Sequence, residues 1–246
     1  MFFNFSIFFS SLIFLLGLEF VVFQDDWVPF LTLLIAFLTL QASRKIGKSL
    51  SAGIIPLIFA LSSIALLYLV DSIAQRQVLI VLSCCVYYLA LLGIYRLKNY
   101  DKDKTAFGIM SFVVMSTTFL FYASIYGIYL NFAIPIGVFM LVYCAVTTLL
   151  SYQYFLMLDK AEARRARIYS LILGLSMAEI AWIINFWPFG YLTTGVIVLM
   201  FYYILWYLVQ SYFLKALSTK HLFVHIILFS FLIGMVLTST RWIPVA

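Results

Sequence analysis

Long apolar runs recur along this chain and are broken only by short polar turns. Read as helices, they fall at approximately 4–23, 28–43, 50–70, 77–95, 105–127, 132–157, 168–186, 191–213 and 222–240. Each reaches, or nearly reaches, the roughly 20 residues a helix needs to cross a hydrocarbon core of about 30 Å. The pattern predicts an all-α integral membrane protein: a bundle of nine transmembrane helices, or eight if the short second run, which opens at Pro29, does not cross. The connections leave no room for a soluble domain, so residues 1–246 are expected to form a single polytopic transmembrane domain.

The basic residues give this ladder of spans a direction. Counted as alternating crossings from a cytoplasmic amino terminus, the spans place 13 of the 15 Lys and Arg residues on one side. These are Arg44, Lys45, Lys48, Arg96, Lys98, Lys102, Lys104, Lys160, Arg164, Arg165, Arg167, Lys215 and Lys220, and only Arg76 and Arg241 lie opposite. Basic side chains resist translocation, so the richer side is cytoplasmic and the carboxyl terminus extracytoplasmic. Trp27, Trp187 and Trp242 fall at outer ends, where an amphipathic indole is favoured.

Composition agrees: 66% of residues are hydrophobic, 10% are charged and the mean hydropathy is +1.13, too little polar surface to cover a soluble globule. The net charge of +6 divides by side, with 13 bases against four acids inside and two against five outside. It is therefore a topology signal with attraction for anionic lipid, not a nucleic-acid footprint. The amino terminus lacks a basic region and a small-residue cleavage site, and reads as a retained first helix. Cys84, Cys85 and Cys144 all sit inside spans, where they are small buried hydrophobes and not a disulfide framework. The prolines lie at span ends or in turns, except Pro56, which falls more than a turn inside the third span. No span is clearly broken at mid-depth, and the two halves show no repeat of the kind many secondary transporters carry.

Ionisable residues within spans are expensive and usually face a protein interior or wet cavity, which singles out Glu19 and Glu179. Both are expected in outer halves, roughly 8–10 Å below the surface at 1.5 Å per residue. A shared outward pocket would account for the matching depth; local capping or an ion pair with Arg241 or Arg76 would account for each acid separately. Glu179 and Trp182 share a helix face that Phe186 extends, with Asn185 at its outer end. Ser170, Gly174 and Ala178 form a small-residue stripe on another face, suited to close helix packing.

The stretch Glu179-Ile180-Ala181-Trp182-Ile183-Ile184-Asn185-Phe186-Trp187-Pro188-Phe189-Gly190-Tyr191-Leu192, followed by Phe201–Trp206 and the turn Leu217–Lys220, resembles a family of small polytopic bacterial membrane proteins of unknown function. The resemblance is to members from candidate phyla and lies mainly in residues 168–246. It implies a multi-pass protein of a bacterial plasma membrane and supplies no activity.

Other candidates have simpler readings. His221 and His225 share a helix face, but two histidines do not make a zinc centre, so no metal or other cofactor is expected. Asp25 and Asp26 could hold a hydrated cation near a lipid phosphate, although a solvated turn explains them with less. The aromatic eighth span fits bundle filling and interface anchoring. Three functions follow. The leading one is non-enzymatic handling of a solute or lipid at a pocket lined by Glu19, Glu179, Trp182, Asn185 and Arg241. The second is an intramembrane enzyme acting on a lipid-linked substrate from the outer face, with Glu179 as general base and Asp25 and Asp26 positioning a cation. The third is a non-catalytic subunit of a membrane assembly. The expected partners are membrane lipids and, in the third case, other membrane subunits.

Overall fold

The computed structural model describes residues 5–23, 27–48, 51–100, 103–132, 134–158, 162–213 and 219–239, with the backbone alone at 219–222 and 239. The described residues form nine α-helices and no strand: α1 (Phe5–Phe23), α2 (Val28–Gly47), α3 (Ile54–Leu69), α4 (Ile73–Asn99), α5 (Lys104–Asn131), α6 (Ile136–Leu158), α7 (Ala163–Ile184), α8 (Tyr191–Phe213) and α9 (Thr219–Ser239). Eight of them, α1 to α8, are long and apolar enough to cross a membrane, α3 together with the 3-10 turn that precedes it. The apolar part of α9, Phe223–Thr238, is shorter.

Every predicted span corresponds to a helix, but the ends shift. The helix α7 starts at Ala163, so Arg164, Arg165 and Arg167 lie in its first turns instead of a loop. The helix α4 starts at Ile73 and takes in Arg76, whose Nε donates to the carbonyl of Val70. Long basic side chains reach polar surroundings from within a helical turn, so an apolar window underestimates helix length. Pro56 is also displaced from its expected place. A 3-10 turn, Ser51–Gly53, precedes α3, so Pro56 occupies the first turn, where its missing N–H costs no hydrogen bond.

Several hydroxyl groups within the apolar helices are satisfied locally. Ser11, Thr32, Ser63, Thr117 and Thr118 each donate to the carbonyl four residues back, at 2.7 to 3.0 Å. This bond lets a Ser or Thr occupy an apolar helix without a partner from another element.

The chain divides into two compact units, Met1–Ser124 and Ile125–Ala246. In the first, α1, α2 and α4 pack around α3, whose residues are the most buried of its helices. An aromatic cluster of Phe14 (α1), Phe59 (α3) and Tyr87 (α4) lies at its centre. The Cys84 thiol donates to the carbonyl of Ser11 at 3.4 Å. In the second unit, α6 and α7 pack closely along the small-residue stripe, with Ser170, Gly174 and Ala178 all buried. A Cβ at Gly174 would lie 2.6 Å from the Cys144 carbonyl oxygen, so only glycine permits this approach. On α8, Tyr202 shares a 3.0 Å hydrogen bond with Ser151, and Gln210 donates to the Tyr154 hydroxyl at 2.8 Å.

Candidate functional site

The first unit contains the clearest binding feature. The consecutive helices α1 and α2 meet at Gly17, where an added Cβ would stand 3.0 Å from the Ile35 side chain. Beside this contact they part into a groove of about 820 Å³, within the range of small-molecule sites. Its floor is made of Phe14, Thr39 and Tyr87, all buried, with Thr39 in hydrogen-bonding reach of the Tyr87 hydroxyl. Phe9, Leu16 and Phe20 form the α1 wall, and Leu31, Leu34 and Leu38 the α2 wall. At 1.5 Å per residue, the lining from Ser6 to Phe20 extends for about 21 Å.

The groove is amphipathic along its length. Antiparallel pairing about the Gly17–Ile35 contact puts Ser6 and Ser10 level with the end of α2, where Gln41, Arg44, Lys45 and Lys48 also line the groove. Lys48 ends α2 in the left-handed conformation, with φ at 53° and its N–H bonded to the Arg44 carbonyl at 2.8 Å. Glycine is the usual residue in such a position, because a side chain is strained there. Lys98, from α4, donates to the Ile46 carbonyl at 3.3 Å and feels the repulsion of Lys48. Among the described residues, no acidic side chain pairs with Arg44, Lys45, Lys48 or Lys98.

Two of the other bases have acidic partners. Arg96 pairs with Asp103 at 2.8 Å, and Arg165 with Glu162 at 2.8 Å. Asp103 also caps α5 by accepting from the N–H groups of Thr105 and Ala106 at 3.0 and 3.3 Å. Desolvation opposes ionisation of its carboxyl but is outweighed by the Ala106 N–H, the charge of Arg96, the Thr105 N–H and the Arg96 hydrogen bond. Asp103 therefore lies below the ordinary carboxylate range.

The acids singled out from the sequence belong to different units. Glu19, half-buried on α1, accepts a hydrogen bond from Gln77 of α4 at 3.1 Å. Glu179 is exposed on α7 in a stripe with Leu175, Trp182 and Phe186, and the rings of the last two meet edge to face at 5.7 Å. Among the described residues, neither acid has an ion-pair partner. Asn185 caps α7 and is partly buried. Arg241, Asp25 and Asp26 lie outside the described residues, as does the side chain of His221. The His225 ring packs against Tyr207 at 4.2 Å.

Sequence reasoning attended to carboxylates and so passed over the groove. A signal was present: Ser6, Ser10 and Gly17 on one apolar run, and Thr39 and Gln41 on the next, immediately before three bases.

The family described as protein of unknown function (DUF5656) matches residues 12–239, and the chain belongs to that family. The match extends well beyond the carboxyl-terminal residues in which the resemblance was read. No curated protein and no solved structure matches the chain.

Proposed function

We propose that this member of an uncharacterised family is a multi-pass protein of a bacterial plasma membrane that handles lipid, holding one amphipathic molecule in the α1/α2 groove without chemistry of its own. The observation that carries this reading is a long apolar groove with bases gathered at one end, none of them paired with an acid among the described residues. That polarity matches a lipid, with its tail along Phe9, Leu16 and Leu38 and its head beside Arg44, Lys45 and Lys48. The partition of basic residues supports placing this end at the cytoplasmic surface. The test is native mass spectrometry of protein released from nanodiscs. Wild type should retain one lipid-sized adduct that Leu38→Trp, which fills the groove, removes. Equal retention by both proteins would refute the reading.

A second reading, membership of a membrane assembly, has one observation in its favour. Glu179 stands in an exposed apolar stripe of α7 without a partner among the described residues. A carboxyl group in apolar surroundings is costly, and a polar group on a neighbouring subunit would offset that cost. Glu179→Gln should then shift the detergent-solubilised protein to a smaller assembly in size-exclusion chromatography with light scattering. An unchanged mass would count against an interface at Glu179.

A further inference from the structure

We infer that the α1/α2 groove takes a phospholipid with a net negative head group from the membrane leaflet at its basic end; this rests on the lipid-handling reading above. The head group follows from a surplus of charge. The ends of α2 and α4 meet where Lys98 donates to the Ile46 carbonyl at 3.3 Å. Residues 44–48 and 96–104, which lie at and beyond that meeting point, hold seven Lys and Arg residues against two acids, Asp101 and Asp103. Asp103 is engaged by Arg96. Whichever base Asp101 balances, positive charge remains in excess. Three of these bases, Arg44, Lys45 and Lys48, line the groove itself. Basic side chains gathered between helices at a membrane surface attract anionic head groups, and the guanidinium fork of an arginine matches phosphate oxygens. A zwitterionic head would set its own ammonium group against the surplus and lose part of that attraction.

The source of the ligand follows from the walls. Phe9, Leu16 and Phe20 on α1 and Leu34 on α2 are about half exposed, whereas Phe14 and Tyr87 on the floor are buried. The groove is therefore closed beneath and open along its side. Apolar walls exposed on helices that cross a membrane face hydrocarbon, so a phospholipid can slide a chain between them without leaving the bilayer. Its head then stays at the surface beside the bases. A soluble phosphate compound would gain nothing from these walls.

Purified wild type, the Lys45→Gln/Lys48→Gln double variant and Leu38→Trp would be titrated in detergent with dioleoyl phosphatidylglycerol, dioleoyl phosphatidylcholine and dioleoylglycerol, whose chains are identical. Wild type should bind phosphatidylglycerol about tenfold more tightly than either of the others, a ratio that one charge-assisted hydrogen bond supplies. The double variant, changed only at exposed side chains, should lose that preference while binding dioleoylglycerol unchanged. Inorganic phosphate, added at constant ionic strength, should not displace phosphatidylglycerol from wild type. Equal binding of phosphatidylglycerol and phosphatidylcholine by wild type would overturn the head-group assignment and leave the groove reading standing. A preference that survives in the double variant would overturn the assignment in the same way. Displacement by inorganic phosphate would overturn the membrane as the source of the ligand. Undiminished lipid binding by Leu38→Trp, or failure of all three lipids to bind wild type, would overturn the groove reading itself.

Discussion

The ring of Phe14 stacks on that of Tyr87, with centroids 4.3 Å apart and planes inclined by 21°, and both rings line the α1/α2 groove. The pair joins α1 to α4 and forms the surface on which a ligand would rest. Phe14 is only 3% exposed, so Phe14→Ala deletes a packed ring and should cost about 3 kcal/mol. A lowered melting temperature in detergent, with a smaller loss for Phe14→Leu, would check this.

Lys48 separates stability from binding. Its left-handed backbone suits glycine, so Lys48→Gly should stabilise the fold by up to about 1 kcal/mol while removing one base from the groove. A raised melting temperature together with weaker binding of an anionic lipid is the expected outcome. A lowered melting temperature would show that the lysine side chain holds the end of α2.

The pair Arg96–Asp103 gives a pH dependence of definite sign. The folded Asp103 carboxyl lies below its unfolded value of about 3.9, so its contribution is present above that value and is lost as pH falls through the folded pKa. Asp103→Asn keeps a side chain able to cap α5 but removes the ion pair. The melting-temperature gap between wild type and this variant should be open at pH 7 and close as pH falls below about 4.

The expected orientation is tested by labelling. In a variant lacking Cys84, Cys85 and Cys144, Ser72→Cys should react with an impermeant maleimide on intact cells, whereas Tyr100→Cys should react only after permeabilisation. Both positions are exposed. The reverse pattern would invert the topology, and labelling at both would mean that α4 does not cross.

Much of this fold was legible because long apolar helices announce themselves as apolar runs, and nine runs became nine helices among the described residues. The close contact of α6 and α7 was also visible, since Ser170, Gly174 and Ala178 recur at helical spacing. Helix ends were less legible, because Arg164 and Arg167 continue a helix past its apolar stretch and Pro56 starts one. The groove was least legible. It depends on the rotation that brings Gly17 against Ile35 and turns Thr39 towards Tyr87, and the order of residues within one span does not specify such pairings.

The central claim, that the α1/α2 groove holds a lipid of its own, is tested most directly by photocrosslinking in native membranes. A benzophenone amino acid would be placed in turn at Leu38, which lines the groove, and at Leu33, which is 72% exposed and not part of the lining. One lipid species should be enriched in the adducts at Leu38, while Leu33 should report the bulk membrane composition. The same lipid distribution at both positions would contradict the claim.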